Sequence, residues 1–278
     1  EVEQPPGQQG DQEDLQHHAV DAEVDAGDLD VDDVRPLEDF DAGGVEALND
    51  ISIDFAEGQL TSLLGPSGCG KTTLLKIIAG LIPASGGEVK VDGRVVTGPG
   101  PERAFVFQDF ALMPWANVMR NVAFGLELKG MARSEREAIA EKYIASVGLK
   151  GFENAYPHEL SGGMRQRAGL ARALAVNAKV LLMDEPFSAV DEQTRRKFQE
   201  DLLELIAREQ KTFLFVTHSI EEAVYVSDRI IILSHRPSQV SAIVEPAIVR
   251  GAGPDQIRRD PAYLDTVESI WQSLKRYL

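Results

Sequence analysis

A chain of 278 residues with 43% apolar content can bury a substantial core, as one large domain or two small ones. Its formal net charge of -17 argues against non-specific nucleic-acid binding, which draws on clustered Lys and Arg. No apolar run approaches the roughly 18 residues of a membrane span, so any membrane role falls to a partner; a single cysteine, Cys69, excludes an internal disulfide, and with no basic-then-apolar leader pattern the cytoplasm is the expected location.

The charge is unevenly spread. Residues 1–41 hold 15 of the 45 acidic groups and a single basic one, Arg35, which leaves the rest nearly balanced. Residues 1–33 read as a solvated acidic tail unable to bury enough surface to fold, although Asp28-Leu29-Asp30-Val31-Asp32 alternates as a weak edge strand would. His17 and His18 lack further soft ligands and read as incidental rather than metal-binding.

From Val45 the texture changes to short β-rich runs. Ile51–Phe55 alternates, Ala56–Gln59 turns, and Leu60–Leu64 leads into Gly65-Pro66-Ser67-Gly68-Cys69-Gly70-Lys71-Thr72-Thr73, followed by Leu74, Leu75, Ile77 and Ile78 at helical spacing. Strand, glycine-rich loop and helix together form the context of a phosphate-binding loop. Its backbone N–H groups would face an anion, Lys71 would reach the β- and γ-phosphates, and the Thr72 hydroxyl would sit on Mg²⁺. The plain alternative, a glycine-rich turn without a ligand, requires a complete and correctly placed motif to be accidental. Cys69 occupies a variable position of the loop as a small residue.

Two strands are expected near Glu88–Val91 and Ala104–Phe107, with a hairpin turn at Val91–Val95. A helical insert at about 109–176 follows: Asn121–Leu128, then a capping box at Ser134 and Glu137 opening a helix that Gly148 stops. Leu160-Ser161-Gly162-Gly163-Met164-Arg165-Gln166 opens another helix whose exposed N-terminus is a second potential anion site. Val180–Met183 reads as a strand buried on both faces, closed by Asp184-Glu185-Pro186 where ligands bind in open α/β sheets. Asp191–Arg208 is amphipathic, with Phe198, Leu202, Leu205 and Ile206 on one face. Phe213–Thr217 is a further buried strand presenting His218, Ser219 and Glu222 suggest a capping box, and Arg229–Leu233 is another strand. A terminal helix carries Tyr263, Leu264, Val267, Ile270, Trp271 and Leu274.

Taken together these motifs resemble the nucleotide-binding subunit of an ATP-binding cassette (ABC) transporter over about residues 45–235. The resemblance implies an α/β P-loop NTPase core with an antiparallel β subdomain and a helical signature subdomain. In this reading residues 34–240 form the nucleotide-binding domain and 241–278 a C-terminal extension. Gly65–Thr72 matches the Walker A loop, Gln108 the Q-loop, Leu160–Gln166 the signature and Val180–Asp184 the Walker B strand. Glu185 falls at the catalytic base, Ser188-Ala189-Val190-Asp191 at the D-loop and His218 at the switch histidine. ATP and Mg²⁺ are the implied cofactors: Asp184, Thr72 and Gln108 would serve the metal, Glu185 the attacking water and His218 the γ-phosphate. The aromatic residue that stacks on adenine is assigned to Phe40. Met164 and Val190 depart from the family's common Gln and Leu without touching phosphate chemistry.

The resemblance also implies a homodimer of ATPase subunits, head to tail, with each ATP held between Lys71 of one copy and Ser161, Gly162 and Gly163 of the other. Phe107-Gln108-Asp109, Leu112–Trp115, Asn117-Val118, Asn121-Val122, His235-Arg236-Pro237-Ser238 and Ile270-Trp271 resemble the importers of nitrate, taurine and other sulfonates. Such importers have separate permease subunits and a solute-binding protein, and place the ATPase peripherally on the cytoplasmic face of the inner membrane. A soluble cassette ATPase of DNA repair or translation, and a module that holds ATP without hydrolysing it, are the competing readings; no coiled-coil insertion, tandem cassette or basic patch supports the first.

Overall fold

The computed structural model describes residues 29–36, 46–188, 192–248 and 253–277. In chain order the elements begin with β1 (Leu29–Pro36), β2 (Ile51–Phe55), β3 (Leu60–Leu64), α1 (Lys71–Ile78), β4 (Ala84–Val91), β5 (Arg94–Val95) and β6 (Arg103–Val106). Three helices follow, α2 (Val118–Leu128), α3 (Arg133–Ser146) and α4 (Gly162–Ala175), with a 3₁₀ turn at Pro157–Glu159. Then come β7 (Val180–Asp184), α5 (Glu192–Glu209), β8 (Thr212–Val216), α6 (Ile220–Val226), β9 (Arg229–Leu233) and β10 (Val240–Val244). The short α7 (Pro254–Ile257) and the terminal α8 (Pro261–Leu274) close the chain.

Six strands form one sheet in the order β10-β9-β3-β8-β7-β6, parallel throughout except for the antiparallel edge strand β10. Of its inner strands, β3, β7 and β8 are buried at every position because both faces are covered, with Thr61 and Ser62 of β3 buried among apolar residues. Side chains alternate across the pleat, so each strand serves two cores. Leu181, Met183, Phe213, Phe215, Ile230 and Ile232 join the cluster containing α4, α5 and α6. Val180, Leu182, Leu214, Val216, Ile231 and Leu233 join the cluster containing α1 and the second sheet.

That second sheet is antiparallel, in the order β2-β1-β4-β5. Here the structure corrects the sequence reading. The segment expected as a weak edge strand is β1, an inner strand paired with β2 on one side and β4 on the other, and the tail boundary drawn at residue 33 falls inside it. Leu29, Val31 and Val34 are buried, so the alternation outweighs the acidic composition. The hairpin at Asp92 and Gly93, both with positive φ, joins β4 to the short β5; β6, expected alongside, belongs instead to the parallel sheet.

Two capping boxes are not formed. Ala132 is the N-cap of α3 and Ser134 lies inside the helix, where Arg133 and Glu137 pair at 2.8 Å. Ser219 does cap α6 through the Glu222 amide, but the Glu222 carboxylate accepts from the Thr217 hydroxyl at 2.6 Å instead of reaching back. Gly148 does stop α3, with φ 74 and a Leu149 amide bond to the Ile144 carbonyl at 2.9 Å. The edge strand β10 carried no sequence signal beyond a short alternation behind Pro237. Among the described residues no helix is long and apolar enough to cross a membrane.

Candidate nucleotide site

The loop after β3 is shaped by what surrounds it. A Cβ at Gly65 would lie 2.8 Å from the Leu233 carbonyl oxygen, so only glycine lets the loop leave the sheet this close to β9. Gly68 and Gly70 adopt φ of 74 and 112, conformations that turn the backbone inward, and no side chain caps α1, which leaves its first N–H groups directed at the cleft. Lys71, 7% exposed, folds back and donates to the carbonyls of Gly65 at 2.8 Å and Pro66 at 2.9 Å. A cation held on loop carbonyls is positioned to exchange them for phosphate oxygens. Ser67, Gly68, Gly70, Lys71, Thr72 and Thr73 line an open cleft of about 590 Å³ with Glu185 and His218 on its far side. Cys69 does not line it; the thiol is buried in the apolar cluster behind the loop, a packing role.

The Thr72 hydroxyl donates to Asp184 at 3.0 Å, joining the start of α1 to the end of β7. Burial raises the Asp184 pKa, the nearby Glu185 carboxylate adds to this, and the Thr72 hydrogen bond opposes it. A hydroxyl and a carboxylate side by side are the hard oxygen donors that suit Mg²⁺. Among the described residues no group of three His, Cys, Asp or Glu residues could hold a metal without further ligands. A magnesium ion at Thr72 and Asp184 would therefore take its remaining ligands from phosphate and water, as that ion usually does.

Glu185 has φ 46 and lies beyond the end of β7, its amide bonded to the Val216 carbonyl at 3.0 Å. The left-handed turn at Glu185 separates its carboxylate from that of Asp184. The Ser188 amide and hydroxyl both donate to the Glu185 carbonyl, at 3.1 and 2.9 Å, and hold that turn. The Glu185 carboxylate then accepts from Gln108 Nε2 at 3.2 Å and stands 3.4 Å from His218 Nδ1. Three residues separated by up to 110 positions thus meet around one carboxylate oxygen.

Ser161, Gly162 and Gly163 do not line the cleft. Ser161 caps α4 by accepting the Met164 amide at 3.2 Å, which presents an open helix end on another part of the surface. Phe40 and Asp191 lie outside the described residues. The sequence reading gave no role to two residues that do line the cleft, Ala47 and Arg236. Arg236 was findable: it follows β9 at the carboxyl edge of the sheet, where ligands bind.

A mostly parallel sheet with a glycine loop, a hydroxyl–carboxylate pair and a second carboxylate at its carboxyl edge defines the class of P-loop nucleotide-hydrolysing cassettes. The ABC transporter family description matches residues 48–188. An uncharacterized ABC transporter ATP-binding protein of Methanocaldococcus jannaschii is 51% identical over 217 residues, covering 78% of this chain and 81% of the relative. A taurine import ATP-binding protein of Pseudomonas syringae is 46% identical over 239 residues, 84% of this chain and 92% of the relative. A dimeric ATP-binding cassette solved in a post-hydrolysis state with ADP and phosphate superposes with a TM-score of 0.70 at 31% identity, covering 78% of this chain and 98% of that one. The chain belongs to the ABC transporter family.

Proposed function

We propose that the chain is the ATP-hydrolysing subunit of an importer for a small anion, taurine or a related sulfonate or nitrate. It works as a homodimer beneath separate membrane permease subunits on the cytoplasmic face, supplied from the other side by a solute-binding protein. The observation that carries the catalytic part is the meeting of Gln108 and His218 on the carboxylate of Glu185, which lines the same cleft as His218, Lys71 and Thr72. The importer part rests on similarity to the taurine import ATP-binding protein over most of both chains.

Lys71 and the loop N–H groups bind and neutralise the triphosphate. Thr72 and Asp184 would hold Mg²⁺, which when bound would supply charge neutralisation of the phosphates. Glu185 orients the attacking water and accepts its proton, Gln108 fixes the carboxylate through its amide, and His218 positions the γ-phosphate. Because Ser161–Gly163 stand off the cleft, a second copy turned head to tail is what brings a signature end to each nucleotide.

Glu185→Gln should bind ATP, stop at the unhydrolysed state and accumulate a dimer on addition of ATP and Mg²⁺, read by light scattering. A variant that stays monomeric under those conditions contradicts the paired-site reading.

A further inference from the structure

The segment after β9 is fastened to the phosphate loop at several points. Ser238, fully buried, places its hydroxyl between the Cys69 and Ser234 carbonyls, the latter at 3.0 Å, with its one proton shared between them. Its amide donates to the Ala47 carbonyl at 3.0 Å, and its own carbonyl accepts the Asn49 amide at 2.9 Å. Ser234 and Gln239 close the base of the turn, the Ser234 amide to the Gln239 carbonyl and the Gln239 amide to the Ser234 hydroxyl, both at 3.0 Å. On the outer side, the His235 ring stands edge-on to Tyr277, 5.6 Å between centroids. The tip of this turn is therefore held against the loop from both flanks. Arg236 is at that tip.

From there the Arg236 side chain reaches over the phosphate loop. A Cβ at Gly68 would lie 3.2 Å from Arg236 Nη2, and Arg236 lines the cleft together with Lys71. Among the described residues Arg236 pairs with no carboxylate. An exposed guanidinium without an acidic partner, on the wall of a cleft built for an anion, has planar, forked donors suited to phosphate oxygens.

We propose that Arg236 is a nucleotide-binding residue, a second cation that hydrogen-bonds phosphate oxygens of the bound nucleotide from above Gly68 of the loop, with Ser238 as the positioning residue that fixes its turn. The inference rests on the reading of this cleft as an ATP site. It also gives His235-Arg236-Pro237-Ser238 a physical role: the serine ties the turn to the loop and the arginine delivers charge.

The test is equilibrium binding of ATP and ADP to the full chain, by competition with a fluorescent ATP analogue in EDTA so that no turnover intervenes. Arg236→Ala and Arg236→Gln should each weaken ATP by about tenfold or more, the loss expected for a charge-assisted hydrogen bond. Arg236→Lys should recover part of that affinity, and ADP should lose less than ATP. Melting curves without nucleotide should match the wild type, because the side chain is exposed. Wild-type binding with Arg236→Ala within twofold of it overturns the inference alone; failure of the wild-type chain to bind ATP overturns the reading of the cleft as well. Equal loss for Arg236→Lys and Arg236→Ala, with ATP and ADP affected alike, would assign the side chain to the adenosine half and reject the phosphate contact.

Discussion

The two sheets are held by different physics. In the parallel sheet, β3, β7 and β8 are buried at every position, so each strand is locked by two cores at once. In the antiparallel sheet, β2 alternates buried and exposed along its length, and β1 buries Leu29, Val31 and Val34 while Asp32 stays exposed. The first sheet tolerates little change anywhere but places carboxylates and a histidine at its edge. The second depends on one face of one acidic strand. Chemistry and stability are therefore separable, and substitutions can show how far.

The largest effect should come from the edge of the parallel sheet. Glu185→Gln removes the proton acceptor while preserving shape, and ATP turnover should fall by about 10²–10⁴-fold, the contribution typical of a positioned general base. Its melting temperature should stay near that of the wild type, since among the described residues the side chain's hydrogen-bond and ion-pair partners are Gln108 and the exposed His218. A large drop in stability would join the two regions that this comparison separates.

Next comes the core face of β1. Leu29→Ala should destabilise by about 2–5 kcal/mol, as truncation of a fully buried leucine does. Removal of residues 1–28 should leave thermal unfolding unchanged, whereas removal through residue 36 takes out a strand bonded on both sides and should abolish cooperative melting. ATPase activity of Leu29→Ala, measured below its transition, should stay within a few fold of the wild type. Equal melting of the two truncations would place the stability of this sheet elsewhere.

The same comparison explains what the sequence could reveal. Gly65–Thr73, Asp184 and Glu185 were legible because phosphate chemistry dictates residue types at fixed spacing within one strand-loop-helix unit. The apolar runs at Val180 and Phe213 were legible because two-sided burial favours apolar residues on both faces. β1 was misjudged because composition was weighed over alternation, although Leu29 and Val31 carried the right period. The Glu185–Gln108–His218 meeting depends on long-range packing, and the Ser238 anchor of Arg236 depends on a carbonyl whose position no local pattern encodes. Ser134 shows the opposite failure. A capping pattern in sequence yielded to a helix whose N-cap, Ala132, lies two residues earlier.

A smaller effect belongs to the helix end that a second copy should meet. Ser161→Ala removes the acceptor for the Met164 amide and should lower stability by about 1 kcal/mol, the usual loss at an N-cap. If that end also contacts nucleotide across a dimer, turnover should drop by more than the stability change accounts for, and ATP-dependent dimers of Ser161→Ala with Glu185→Gln should form less readily. Restoration by Ser161→Asp of stability but not of turnover would separate capping from phosphate contact, because a carboxylate caps a helix and repels a triphosphate.

The smallest effect, and the one that depends on pH, lies at the start of β8. Lys211, buried between the ends of α5 and β8, sits 3.1 Å from a Glu209 carboxylate oxygen, and burial lowers its pKa against the opposing pull of Glu209. The folded state therefore holds this proton less tightly than the unfolded chain. The resulting penalty is fully present below the folded pKa and is relieved as pH rises towards the ordinary lysine value. Replacing both partners, Lys211→Met with Glu209→Gln, should change stability at neutral pH by no more than about 1 kcal/mol, because removing a buried ion pair as a pair leaves no unpaired charge. The gain in wild-type stability on moving into the alkaline range, measured by chemical denaturation, should be smaller in the double variant. An identical pH profile for the two proteins would mean that Lys211 keeps its proton equally well in both states, and that the parallel sheet carries a buried cation without a penalty.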